Sequence, residues 1–116
     1  MGTLLHPITI VGANGGQTFE ALVDTNAWFG GAPAQTLGGL GLTPHRRPRL
    51  RTADERVSEW EIGRASTRIN GTEEETLFIF APEGSPPVIG SHTLRSMFLA
   101  VAPVEHRLVP TGGFLL

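Results

Sequence analysis

Short runs of aliphatic and β-branched residues alternate with Gly, Pro and Asn punctuation along the whole chain, and this spacing predicts a mostly-β fold. Leu4 to Val11 is the first run. Asn14-Gly15-Gly16 is a turn signal and Gln17 to Val23 returns from it, so the two runs form a hairpin. After Asp24 the pattern predicts a loop. One or two helical turns follow over Pro33 to Leu40, opened by the proline and closed by Gly38, Gly39 and Gly41. Leu50-Arg51-Thr52 and Val57 to Ile62 flank the polar turn Ala53-Asp54-Glu55-Arg56 as a second, long hairpin. Thr67-Arg68-Ile69 and Thr76 to Phe80 flank Asn70-Gly71-Thr72 as a third. Pro82 to Pro87 reads as a loop and Val88-Ile89-Gly90 as a short buried strand. Ser91 to Phe98 is the strongest helix candidate, with Ser91 as its N-cap and Leu94, Met97 and Phe98 on one face. The chain closes with Leu99 to Val104, a turn at Glu105-His106-Arg107, Leu108-Val109-Pro110 and the apolar Phe114-Leu115-Leu116. These elements predict an all-β domain with one or two short helices, folded as a small closed barrel.

Composition narrows the function classes. A length of 116 residues predicts one domain spanning 1–116. The net charge of −2 supplies no global field toward nucleic acid or membrane. Cysteine is absent, which removes disulfides and thiolate chemistry together. No stretch approaches membrane-spanning length, so the expected setting is cytoplasmic, for this domain alone or as part of something larger. His6, His45, His92 and His106 are scattered without metal-ligand spacing, and no metal or cofactor is expected. Gly12-Ala13-Asn14-Gly15-Gly16 lacks the Lys-Ser/Thr of a phosphate loop and reads as a turn. His45 to Arg51 is a basic cluster with no interleaved aromatic, read as a solvated loop, and Glu73-Glu74-Glu75 reads as a solvated strand entry.

The chemistry-bearing residue is Asp24, one of two aspartates, set in Ala21-Leu22-Val23-Asp24-Thr25-Asn26-Ala27-Trp28-Phe29. A carboxylate at the end of a core strand is costly unless paired or hydrogen-bonded. Two roles fit it: an acid or base in an apolar cleft, or a buried Asp that caps a turn through its own side chain. Trp28, Phe29 and Trp60 fit either a binding subsite or the core.

A faint repeat accompanies Asp24. Twice an apolar strand ends in a tight turn and runs into a short Leu-bearing helix, over Ala21 to Leu42 and over Pro87 to Leu99. Ala21-Leu22-Val23-Asp24-Thr25, with Ala27 behind it, resembles the Asp-Thr-Gly-Ala signature of retropepsin-like aspartic proteases. Val88-Ile89-Gly90, about 65 residues later, resembles their second hydrophobic-hydrophobic-Gly element, and the hairpin tip Ala53-Asp54-Glu55-Arg56 stands in the place of their flap. The order agrees from Ile8 to the C-terminal strands, most closely with the small single-domain bacterial members.

The resemblance implies a retropepsin-like barrel that is one half of a two-fold symmetric homodimer. Its C-terminal apolar strands would pair between subunits. Asp24 would be the catalytic carboxylate and Thr25 would hydrogen-bond across the axis. Hydrolysis of a peptide without a metal needs both a base and an acid, so two Asp24 residues must meet. At about 3 Å and an effective dielectric near 20 their charges repel by about 5 kcal/mol, so the pair holds one proton, the established behaviour of aspartic-protease dyads. The implied activity is aspartic endopeptidase cleavage of an extended peptide. Two departures stand out. Asn26 replaces the signature Gly, a residue used where φ is positive or another chain passes closely, and Gly30-Gly31 replace a hydroxyl and an apolar residue, which should loosen the loop. The alternatives are therefore a catalytically weakened or inactive peptide-binding or dimerisation module and, from another class, an RNA-associated β-module using Arg46 to Arg51. A membrane is not an expected partner, nor is nucleic acid the leading one.

Overall fold

The computed structural model describes residues 3–111. Its first hairpin pairs β1 (Leu5–Gly12) with β2 (Gly15–Val23), in register from Leu5↔Leu22 to Gly12↔Gly15. The tip is therefore Ala13-Asn14, one step earlier than the expected Asn14-Gly15-Gly16, and it is anchored where Asn14 N–H donates to the Leu40 carbonyl at 2.9 Å. The expected loop after Asp24 contains a strand, β3 (Gly30–Pro33), buried at Gly30 and Ala32. Glycine, alanine and proline have little strand propensity, so packing against neighbours decides the conformation here. The remaining elements are α1 (Ala34–Gly39), β4 (Arg49–Arg51), β5 (Val57–Glu59), β6 (Ile62–Ile69), β7 (Thr72–Ala81), β8 (Val88–Ile89), α2 (Ser91–Ser96), β9 (Leu99–Ala102) and β10 (Arg107–Pro110).

Six strands close into a barrel in the order β1-β2-β8-β3-β7-β6, the all-β architecture with two short helices that the pattern predicts. β4–β5 and β9–β10 are separate two-stranded sheets. The longest hairpin, β6–β7, turns through Asn70 and Gly71 at φ 52° and 82°, the left-handed pair that matches strand twist. Period-two burial supplies the core: Ile8 and Ile10 from β1, Ala65 and Ile69 from β6, Phe78 and Phe80 from β7. Each such large apolar side chain contributes about 1.5–3 kcal/mol on leaving water. Leu37 of α1, Leu94 of α2, Met97 and Leu108 of β10 join the same buried cluster. The buried hydroxyls do not go unpaired: Thr67 and Thr76 lie 2.9 Å apart and Thr93 reaches Thr76 at 3.4 Å, joining α2 to the barrel wall.

α2 differs from its expectation at both ends. Gly90, not Ser91, is the N-cap, and no side chain caps the helix. Instead, Ser91 N–H donates to the Ala27 carbonyl and His92 N–H to the Trp28 carbonyl, each at 2.8 Å. At the other end Phe98 takes φ 55°, which stops the helix and swings the ring away from Leu94 and Met97, leaving it 69% exposed. Its carbonyl accepts from Thr111 N–H at 2.8 Å, where β10 comes back past it. The Phe114-Leu115-Leu116 end lies outside the described residues. Among the described residues no helix is long and apolar enough to cross a membrane.

Main chain packs closely on main chain where β8 passes between β2 and β3. β8 runs parallel to β2 through Leu22↔Val88 and Val23↔Ile89, and antiparallel to β3 at Gly31↔Val88. A Cβ on Gly90 would stand 2.6 Å from both the Gly30 nitrogen and the Phe29 carbonyl carbon, and one on Gly30 would overlap the Val88 carbonyl oxygen. The two glycines are thus a close approach of main chain on main chain. Gly90→Ala is expected to lower the unfolding free energy by about 3 kcal/mol through overpacking. Gly38→Ala, in α1 with open space around the new methyl, is expected to raise it by about 1 kcal/mol. Urea denaturation followed by circular dichroism checks both signs.

Candidate active site

Asp24 follows the last residue of β2 and begins a four-residue turn. Its own N–H extends the parallel ladder by donating to the Ile89 carbonyl at 3.0 Å, and its carbonyl accepts from Ala27 N–H at 3.2 Å. Its carboxylate Oδ1 accepts the main-chain N–H of Asn26 at 3.0 Å. The first candidate element and the second, Val88-Ile89-Gly90, are therefore joined directly, by Asp24 to Ile89 and by Ala27 to Ser91. Within one chain Asp24 is only half-buried, with Thr25 and Asn26 exposed beside it, so the apolar burial inferred from its sequence neighbours does not hold there. The turn geometry explains why: two residues after the core strand the chain has already reached the surface. The turn-capping role is realised on a carboxylate-bearing residue that stays partly open to solvent.

Asn26 does not occupy the left-handed region, so its replacement of glycine carries no backbone strain. The N–H that it donates is one that any residue but proline would supply. Gly30 and Gly31 do not loosen the loop either, since both pair within the barrel, Gly30↔Phe78 and Gly31↔Ile79. Trp28, whose neighbours suggest either core or subsite, is 77% exposed, and Phe29 is half-buried with its ring centroid 5.7 Å from that of His92. Burial of the His92 ring disfavours its cation and holds its pKa below the usual 6.5.

The proposed flap tip, Ala53, Asp54, Glu55 and Arg56, joins β4 to β5 and is exposed. Asp54 organises it: the carboxylate accepts from the Thr52 hydroxyl and from Arg56 N–H, and the Arg56 guanidinium stands 3.6 Å away. The Thr52 hydroxyl, first, and the Arg56 N–H hold the Asp54 carboxyl below its usual range. Glu55 takes φ 69°, a position better suited to glycine. The structure does not join this tip to the Asp24 loop by any hydrogen bond among the described residues. The arm's own ladder runs on to Trp60 N–H donating to the Pro48 carbonyl, and its base is tied to the barrel by an Arg46↔Ile62 bridge and by Phe80 N–H donating to the Glu61 carbonyl. Beneath it lies a concavity of about 450 Å³ bounded by Ala34, Ser58, Trp60 and Phe80, and Trp60 Nε1 is buried beside it without an acceptor. A second concavity, about 400 Å³, is bounded by Pro44, His45, Arg46, Arg47 and Glu61. Asp24 lines neither. Among the described residues no group of three or more His, Cys, Asp or Glu side chains is placed to hold a metal.

No family model matches the chain and no curated protein sequence matches it. A solved structure does: the retroviral protease-like domain of Ddi1 from Leishmania major matches with a TM-score of 0.63 over 97% of this chain and 90% of that one, at 19% sequence identity. The fold is therefore retropepsin-like, as the motifs around Asp24 and Gly90 implied.

His92 ties the site to pH. The unfolded chain takes up a proton at about pH 6.5 while the folded ring resists it, so the stability that neutral His92 contributes is present above that pH and lost as pH falls below it. His92→Phe keeps a ring against Phe29 and removes the titration. The expected result is a flatter stability profile below pH 6.5, measured by thermal unfolding across pH; an unchanged acid-side slope contradicts the assignment.

Proposed function

We propose that the chain is an aspartic endopeptidase that works as a homodimer, with Asp24 and the partner subunit's Asp24 facing each other across the two-fold axis. The observation that carries this reading is the Asp24 carboxylate itself, presented at the surface of a retropepsin-like barrel on a loop held by main-chain bonds to Ile89 and Ser91. A single carboxylate offers a base or an acid, and peptide hydrolysis needs both at once. In the dimer one Asp24 is ionised and the other protonated. The ionised carboxylate takes a proton from water as the water oxygen bonds to the scissile carbonyl carbon. The protonated partner gives its proton to the carbonyl oxygen, and the tetrahedral diol results. The carboxyl that gained the proton then passes it to the leaving nitrogen, the carbon–nitrogen bond breaks, and the other carboxylate recovers a proton from the diol. The Asn26 N–H, donating to Oδ1, holds the carboxylate orientation through the cycle. Thr25, exposed next to it, would keep the two loops in register across the axis, and the Ala53 to Arg56 tip would cover an extended substrate in a cytoplasmic setting.

The test is cleavage of a peptide library from pH 3 to 7 by the unaltered chain, Asp24→Asn and Asn26→Gly. The expected result is cleavage by the unaltered chain, a loss of at least about 10²-fold in Asp24→Asn, and a rate for Asn26→Gly within about tenfold of the original, because position 26 acts through its main chain. Cleavage by Asn26→Gly alone would instead assign the natural chain to peptide binding without turnover, with the two Asn26 side chains obstructing the dyad.

A further inference from the structure

The arm that carries the flap tip leaves one strand edge open and charged. Pro48, Leu50 and Thr52 turn their main-chain groups toward β5. Trp60 N–H donates to the Pro48 carbonyl at 3.0 Å, Thr52 N–H donates to the Arg56 carbonyl at 2.9 Å, and Leu50 stands opposite Ser58 between them. By the alternation of an antiparallel ladder, the N–H and C=O groups of Arg49 and Arg51 point to the outer side. Among the described residues no other strand lies on that side, since β4 and β5 form a sheet of two. The side chains of Arg49 and Arg51 share one face, two residues apart, and both are exposed.

The charges of these arginines are also free. Arg47 is held by Glu61 at 2.9 Å, Arg68 by Glu73 at 2.8 Å, Arg64 lies 3.9 Å from Glu75, and Arg56 lies 3.6 Å from Asp54. Arg49 and Arg51 enter no ion pair among the described residues, although Glu59 stands opposite Arg49 in register. The opposite edge of the same sheet presents Val57 and Glu59, so the two edges differ in sign. Charge at an open edge deters pairing with a like-charged strand. An acidic strand converts that deterrent into attraction.

We infer that the outer edge of β4 takes up an extended acidic peptide segment as an added strand, with carboxylates at alternate positions against Arg49 and Arg51. The inference rests on the peptide-cleaving reading above and specifies its substrate class. Alternating main-chain donors and acceptors match another peptide main chain, and a nucleic acid offers no such ladder. No aromatic side chain lies between Arg46 and Arg51 to stack a base, and the net charge of −2 draws no polyanion from a distance.

The test separates binding from turnover by using the full-length Asp24→Asn chain. Fluorescence anisotropy is measured with a labelled extended peptide bearing Glu at alternate positions and with its Gln counterpart, at low and high salt. The expected result is about tenfold tighter binding of the Glu peptide at low salt, from two cross-strand ion pairs. That preference should shrink with salt, vanish in an added Arg49→Gln/Arg51→Gln pair and persist in an added Arg64→Gln control. Equal binding of the two peptides, no binding of either, or a preference that survives the double substitution overturns the inference. A single-stranded RNA that displaces the Glu peptide at lower concentration than unlabelled Glu peptide also overturns it, in favour of nucleic acid. Library cleavage by the unaltered chain reports on the protease reading separately, so the two can fail independently.

Discussion

The contact between Gly30 and Gly90 is the constraint on which the site depends. β8 is only two residues long, yet it pairs with β2 on one side and β3 on the other, and Asp24 bonds to its last carbonyl. Three main-chain segments meet there with no room for a side chain on either glycine. The consequence is a loop whose position is set by backbone hydrogen bonds and steric contact, with few rotatable side chains involved. Catalytic groups need placement within a fraction of an ångström, and a main-chain frame supplies it without ordering long side chains. α2 completes the frame because its first two N–H groups find their acceptors in the Ala27 and Trp28 carbonyls. The same bonds satisfy the helix end and hold the loop. His92 shields its ring against Phe29 at the back of this arrangement, which couples the frame to protonation.

Much of this was legible in the sequence, where the signal is local. The inward positions of β1 and β7 repeat at every second residue, and Asn70-Gly71 states its turn by itself. Asp24 and Val88-Ile89-Gly90 stood out because each ends an apolar run in an unusual residue. Other features depend on partners distant in the chain. β3 could not be read from Gly30-Gly31-Ala32-Pro33, since its conformation comes from β7 and β8, and those glycines look like loop residues until the crowding around them is known. Phe98 fits a helical face by spacing, but the left-handed turn into β9 carries it outward. Ser91 has the chemistry of a cap, yet Gly90 takes the position because only a residue without a side chain fits against Gly30. Asn26 differs again: its side chain is visible in the sequence, while the bond it makes to Asp24 is a main-chain N–H that any residue but proline could donate.

The arm between Pro48 and Trp60 is built on different terms. It is a two-stranded ribbon outside the barrel, rooted by few hydrogen bonds and organised at its tip by Asp54, and Glu55 is held in a backbone region that favours glycine. Isolated two-stranded ribbons are marginal in water. The molecule thus combines a main-chain frame around Asp24 with an arm of low intrinsic stability, a division that suits the proposed roles of fixed carboxylate and moving cover.

The central claim is that two chains bring their Asp24 carboxylates together so that they share a proton. Only two aspartates are present, so carboxyl-¹³C aspartate labelling gives one Asp54 signal and the Asp24 signal without ambiguity. The direct measurement is the pH titration of the Asp24 carboxyl carbon by NMR, at concentrations above and below dimer dissociation. The account predicts two well-separated steps, each worth one proton per dimer, that merge into a single step on dilution. A single step with one proton per chain at every concentration would contradict it.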